Sequence, residues 1–217
     1  MFRKIISLLI LLLATNAVFG QRFKFGIMFD PTITWLRSDV NDVTRDKARL
    51  GLDIGMSADY YFARNYAFAT GISLFNTGGT LRYVNGIEKF RTKEDNIRLE
   101  PESKVKYKLQ YVKIPAAIKF KTHLIGRMIY SANLGFDPMF RVSARAAING
   151  GDVVKVNKEI KFLNLGWHFG VGAQYSLGQE ASIFGGLSFM NIFTDMTTSS
   201  HDKITSGNLM LRIGMMF

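Results

Sequence analysis

The chain of 217 residues contains no cysteine. Disulfides, thiolate metal sites, iron–sulfur clusters and cysteine nucleophiles are therefore excluded. Histidine is scarce: there are three, His123, His168 and His201, and no two lie close together. A histidine-rich metal site is not expected, and no cofactor is implied. Acids are in deficit, with 17 Asp+Glu against 28 Lys+Arg and a formal charge of +11. The length suits one domain and is too short for a large multidomain enzyme. At 47% hydrophobic residues, the composition is not that of a disordered chain.

The first twenty residues read as a secretory signal. Arg3 and Lys4 supply a positive start, and Ile5 to Ala14 form an apolar stretch too short to span a bilayer. Val18 and Gly20 are small enough to precede a cleavage site between Gly20 and Gln21. Removing these 20 of 217 residues leaves 197 and lowers the formal charge by two, to +9. An exported protein does not meet the genome, so the basic balance does not point to nucleic acid. After Gln21 no run of 18 apolar residues occurs, and no transmembrane helix is expected.

What remains is alternation. Every odd residue from Phe23 to Trp35 is apolar, as is every even residue from Leu50 to Phe62 and from Met128 to Ala144, and every odd residue from Leu163 to Leu177. A period of two is the signature of a strand. Weaker alternation covers 66–77, 105–120, 181–193 and 209–217. Within 105–120 the apolar set shifts from Val105, Tyr107, Leu109 and Tyr111 to Val112, Ile114, Ala116, Ile118 and Phe120. That shift predicts a β-bulge near residues 111–113. Eight strands result.

The connections sort by length. Residues 63–65, 121–127 and 178–180 make short turns, whereas 36–47, 78–104, 147–159 and 194–206 make longer loops. An even strand number, with short turns at one end and long loops at the other, predicts an all-β, eight-stranded, antiparallel up-and-down transmembrane barrel over residues 21–217. Both chain ends fall on the short-turn side, which would be periplasmic. The outer membrane is the implied location, with its lipid and lipopolysaccharide as surroundings. Tyr60, Phe62, Tyr66, Phe120, Tyr130 and Tyr175 toward the turns, and Trp35, Phe140, Phe162 and Phe193 toward the loops, would form two interfacial girdles.

The less apolar face is rich in Gly, Ser and Ala, as a narrow lumen requires. Its charges form the candidate site. Asp30, Asp53, Asp59 and Asp137 are expected inside with Lys106, Lys108, Lys113, Lys119, Arg141, Arg145 and Arg212, as a mutually compensated network filling the lumen. His168 is expected on the same face, as a hydrogen-bonded structural residue rather than a general base.

The chain is similar to small outer-membrane barrels of the OmpX type, and more closely resembles the PorT-like outer-membrane β-barrel proteins of Bacteroidota. The resemblance rests on Leu109-Gln110-Tyr111-Val112-Lys113-Ile114-Pro115, Lys119-Phe120-Lys121-Thr122, Ile125-Gly126 and Asn133-Leu134-Gly135-Phe136. It continues in the stretch from Lys161 to Leu165 and in that from Gly170 to Leu177. Lys113 departs from it, since the family pattern often has glutamate there, and no role of that acid carries over. The resemblance implies a non-enzymatic scaffold or accessory factor, with secretion-system components, as in type IX secretion, among its partners. It also implies that the terminal strand ending in Phe217 is the signal for the barrel assembly machinery. A membrane-embedded lipid-modifying enzyme and a passive small-solute channel remain the alternatives.

Overall fold

The computed structural model describes residues 22–92, 96–178, 181–198 and 203–217; the expected signal segment, 1–20, and His201 lie outside them. The strands are β1 (Phe23–Ser38), β2 (Val43–Lys47), β3 (Arg49–Ala63), β4 (Tyr66–Tyr83), β5 (Ile87–Arg91), β6 (Asn96–Leu99) and β7 (Ser103–Lys113). They continue with β8 (Ala116–Lys121), β9 (Met128–Ile148), β10 (Val153–Lys155), β11 (Leu163–Ser176), β12 (Ser182–Ile192) and β13 (Ile204–Met216). All named pairings are antiparallel.

Eight crossings make a ring. β1 pairs with β13 and β3, β3 with β4, and β4 with β7 and β8, which are two halves of one crossing. These pair with β9, and the order β9-β11-β12-β13 returns to β1. The joint carries main-chain bonds to its end: the Phe217 N–H donates to the Phe25 carbonyl at 2.7 Å and the Phe25 N–H to Phe217 at 3.1 Å. Closure leaves no free edge in the lipid zone, where an unpaired peptide group has no water to turn to.

Side-chain direction follows the alternation. Phe25, Ile27, Phe29 and Ile33 are exposed, while Met28, Asp30, Thr32 and Thr34 between them are buried. Ile54, Leu134, Phe169 and Ile213 also point outward. From Phe23 to Trp35 the belt rises about 30 Å along the membrane normal, given ~3.3 Å per residue and a strand tilt of about 40°. Aromatic pairs mark both rims. Phe23 lies tilted against Tyr60 at 4.9 Å and Tyr66 meets Phe120 at 5.5 Å on the turn side; Trp167 meets Phe189 at 5.7 Å on the loop side. Trp35 lies flat over Gly207, where a Cβ would sit 2.5 Å from the ring, so glycine makes room for the girdle indole.

Toward the loops the polarity of the sheet inverts. Leu81 and Tyr83 of β4, Val105, Tyr107, Leu109 and Tyr111 of β7, and Ala144 and Ala146 of β9 point inward and are buried. They join Phe90 of β5, Leu99 of β6, and Val156, Ile160 and Met196 of the connections in one apolar core. Above the bilayer the barrel is thus built like a soluble protein, apolar inside and polar outside. This explains why β4 runs to Tyr83 and β7 begins at Ser103, inside the stretch read from sequence as loop 78–104. The same pattern explains the phase shift in 105–120. Odd residues face inward throughout β7 and β8, with Lys113 and Ala117 both buried, so no bulge lies there. What changes is the medium around the strand.

The bulge sits on the partner strand. Gln110 pairs with Ser143 and Tyr111 with Arg141, leaving Val142 as an extra residue in β9. Before it, Gly135, Asp137 and Met139 face in; after it, Ala144 and Ala146 do. The expected site at 111–113 is therefore corrected to Val142.

The belt makes a direct prediction. Phe169→Arg places a charge mid-belt and should cost about 2–4 kcal/mol of stability. Lys106→Gln, on the solvated wall, should change it by no more than about 0.5 kcal/mol. Urea titration of both variants folded in vesicles measures the difference.

Candidate functional site

The lumen toward the short turns holds four acids, each with one basic partner. Asp53 of β3 accepts from Lys113 Nζ at the end of β7; the carboxylate is fully buried and the lysine nearly so. Asp59, three inward positions nearer the turns, accepts from Lys119 Nζ of β8 at 2.6 Å. Asp137 of β9 lies 2.7 Å from His168 Nδ1 of β11. Asp30 of β1 accepts from Arg212 Nε of β13 at 3.3 Å and from the Ile213 N–H at 3.1 Å. Asp137–His168 and Asp30–Arg212 join adjacent crossings, whereas Asp53–Lys113 and Asp59–Lys119 reach past β4, from β3 to the β7–β8 crossing, a span that a long lysine covers in so narrow a bore.

Asp30 has a second task. The β1–β13 ladder is interrupted between Met28 and Thr32. Pro31 has no N–H to give to β13. The Asp30 carboxylate takes the Ile213 N–H, so a side chain replaces the main-chain acceptor at mid-membrane.

Around the pairs stand Ser57, Asn133, Gln174 and Ser188, enclosing about 90 Å³, room for a few water molecules. Asp53 Oδ1, Asp137 Oδ1 and Asn133 Oδ1 have no protein hydrogen-bond partner among the described residues, and waters in this space would serve them. A hydroxyl and amide layer lies above: Thr77 Oγ1 donates to Asn208 Oδ1 at 2.9 Å and Thr34 Oγ1 to the Gly78 carbonyl at 2.8 Å. Higher still, the apolar core fills the bore, its phenols paired through Tyr83 and Tyr107 at 2.7 Å.

Four residues expected in the lumen lie elsewhere. Lys106 and Arg145 are exposed and Lys108 is half-exposed, all on the outer wall. For the two lysines, the inward face of β7 is the apolar one above the bilayer; for Arg145, the Val142 bulge reverses parity. Arg141 donates instead to the carbonyls of Asn157 and Ile160 and so ties down the β10–β11 connection. Lys113 and Lys119 lie where alternation places them. Phe217 projects outward, 53% exposed, beside the joint.

Among the described residues the hydrogen-bond partner of His168 is Asp137, with no hydroxyl bonded to the ring. The geometry is that of an anchored imidazole. Sequence reasoning missed Asp195, which closes the β12–β13 connection. Its carboxylate accepts from Lys161 Nζ at 2.6 Å, the Thr197 N–H at 3.1 Å and hydroxyl at 3.0 Å, and the Ile204 N–H at 3.1 Å. The spacing Asp195-Met196-Thr197 is an Asx-turn signal that could have revealed it.

The model of the family described as "Outer membrane protein beta-barrel domain" matches residues 16–198. The chain belongs to this family. It is an outer-membrane β-barrel protein, and the lipid belt described above is the part of the fold that the outer membrane surrounds. No curated protein matches it. Among solved structures it is similar to Neisserial surface protein A, at 14% identity and a TM-score of 0.49, covering 88% of this chain and 95% of that one. It is also similar to Ail of Yersinia pestis in complex with the heparin analogue sucrose octasulfate, at 14% identity and 0.44, covering 90% and 99%. OprG of Pseudomonas aeruginosa matches at 11% identity and 0.46, covering 90% and 96%.

Two predictions follow from these contacts. Asp53→Ala leaves the Lys113 ammonium buried without its carboxylate and should cost about 3–5 kcal/mol, whereas Asp53→Leu combined with Lys113→Met should lie much nearer wild type. Equilibrium unfolding of the single and double variants in one detergent checks both. For Asp195, partial burial pushes the pKa up, but the bonds from Lys161, Thr197 and the Ile204 amide outweigh it and hold the carboxyl below its usual value. A depressed folded pKa means stabilisation that is complete above the unfolded value of about 3.9 and is lost as the pH falls through the folded one. Exchange of the Thr197 and Ile204 amides should therefore accelerate below about pH 4, beyond the intrinsic trend, and Asp195→Asn should show that loosening already at neutral pH.

Proposed function

We propose that the protein is a closed, non-enzymatic outer-membrane barrel that serves as a scaffold or accessory factor. The apolar core that fills the bore at the loop end supports this reading: Tyr107, Leu109, Tyr111, Met139 and Met190 are all buried there. Such a core offers an ion no polar path, and eight strands leave little bore to begin with. The paired charges below it serve stability in this reading, tying together walls one or two strands apart.

The likeness to PorT-like proteins of Bacteroidota extends the proposal to an accessory role in type IX secretion, with components of that system as partners. Outer-membrane lipid and lipopolysaccharide surround the belt. The barrel assembly machinery is a further partner, reading β13 and Phe217 before the barrel closes. In this arrangement the N- and C-termini and the short turns are periplasmic, and the long loops are outside the cell.

Planar bilayer recording tests the closed bore: the purified barrel should give no stable current steps, and a reproducible open-channel level would overturn the reading. Orientation has its own test. A cysteine at Asp152, exposed in the β9–β10 turn, should react with an impermeant maleimide on intact cells. One at Arg64, in the β3–β4 turn, should react only after the outer membrane is breached; the opposite pattern would reverse the topology.

A further inference from the structure

The outer wall above the belt carries a row of cations that the lumen network does not use. Lys108 of β7 is directly opposite Arg145 of β9, and Arg145 is directly opposite Lys155 of β10. Lys106 stands one outward position higher on β7. Their inward neighbours Val105, Tyr107, Leu109, Ala144 and Ala146 are buried, so the four cations share the outer face. None of the four has an ion pair among the described residues. Two acids of the neighbouring strands and turns are engaged elsewhere: Asp46 takes Lys104 at 3.2 Å and Glu102 takes Arg82 at 3.4 Å.

Like charges directly opposite in a sheet repel and destabilise it. A row of three across adjacent strands, with a fourth above, is an unpaid electrostatic cost in the isolated barrel. What lies beneath shows what offsets it. One outward step down, Gln110 faces Ser143; the next step reaches Val112 facing Phe140, with Val142 exposed beside them. The wall therefore grades from cations through neutral polar groups to hydrocarbon over a few residues. A lipid monolayer has the complementary order: charged headgroup, polar backbone, acyl chain.

We infer that Lys106, Lys108, Arg145 and Lys155 form a binding site for the phosphates of the anionic glycolipid of the outer leaflet, lipid A. The site takes a phosphorylated headgroup whose acyl chains lie against Val112, Phe140 and Val142. Lys and Arg donate charge-assisted hydrogen bonds to phosphate oxygens, and a bisphosphorylated headgroup is broad enough to engage several members of the row at once. The inference rests on the orientation proposed above, in which this wall meets the outer leaflet. Binding to the purified protein does not depend on orientation in the cell, so the two can fail separately.

The test uses the full chain folded in uncharged detergent, with native mass spectrometry and thermal unfolding as readouts. The probes are bisphosphorylated lipid A, its dephosphorylated form, phosphatidylglycerol at equal charge, and inorganic phosphate. Lipid A should bind and raise the unfolding temperature; the other three should do so far less. The variant K106Q/K108Q/R145Q/K155Q should keep heat-modifiable mobility, and its affinity for lipid A should fall by about tenfold or more. In the wild type, affinity should drop as salt is raised, a measurement that stands even if the variant does not fold. Equal binding of dephosphorylated lipid A or phosphatidylglycerol, wild-type affinity in the folded variant, or indifference to salt would each overturn the site.

Discussion

Inside hydrocarbon a peptide N–H or C=O can be satisfied only by another part of the protein. Nearly everything else about this molecule follows from that constraint. It forces the eight crossings into a ring and forces β1 to meet β13. Closing eight strands then fixes the bore, and the bore decides the contents: Gly, Ser and Ala along the walls, with charges paired to the next strand or the one beyond it. Where Pro31 breaks the ladder, the constraint is still met, because Asp30 supplies the missing acceptor to Ile213. That carboxylate is in turn balanced by Arg212, so a local gap in the backbone has drawn an ion pair into the membrane interior.

The ion pairs are better viewed as tolerated than as a source of strength. A buried pair gives little net stability over an apolar pair of the same size, yet losing one member is costly. Each of Asp30, Asp53, Asp59 and Asp137 therefore constrains its partner: once one is present, the other cannot easily be lost. The arrangement also fixes register, since a strand shifted by one residue would turn its acid toward lipid.

The fold was legible where a single medium surrounds the strand. Phe23 to Trp35 and Leu163 to Leu177 lie in lipid along most of their length, and their alternation gave direction as well as strand. Asp53, Asp59, Asp137 and Arg212 were placed by the same parity, although the identity of each partner depends on registers that one sequence does not display. Reading failed where the medium changes within a strand. In β7 the apolar side switches at the membrane surface, which mimics a bulge and turned Lys106 and Lys108 to the wrong face. The true bulge at Val142 leaves no such trace, because the even residues are apolar both before it, where they face lipid, and after it, where they face the core. Arg145 was misplaced for that reason. Asp195 was overlooked because two of its donors are backbone amides, which have no letter in the sequence, and its lysine partner, Lys161, lies in a different connection.

The inversion of polarity along β4, β7 and β9 also acts as a gauge of depth. A barrel with one uniform apolar belt can ride up or down in a bilayer at small cost. Here a shift toward the short-turn end would drag Lys108, Arg145 and Lys155 into hydrocarbon, and a shift toward the loop end would lift Phe140 and Val142 into water. The vertical position is pinned from both sides. A bilayer thicker or thinner than the belt must then stretch or compress around the protein, which makes the barrel a rigid local standard of membrane thickness.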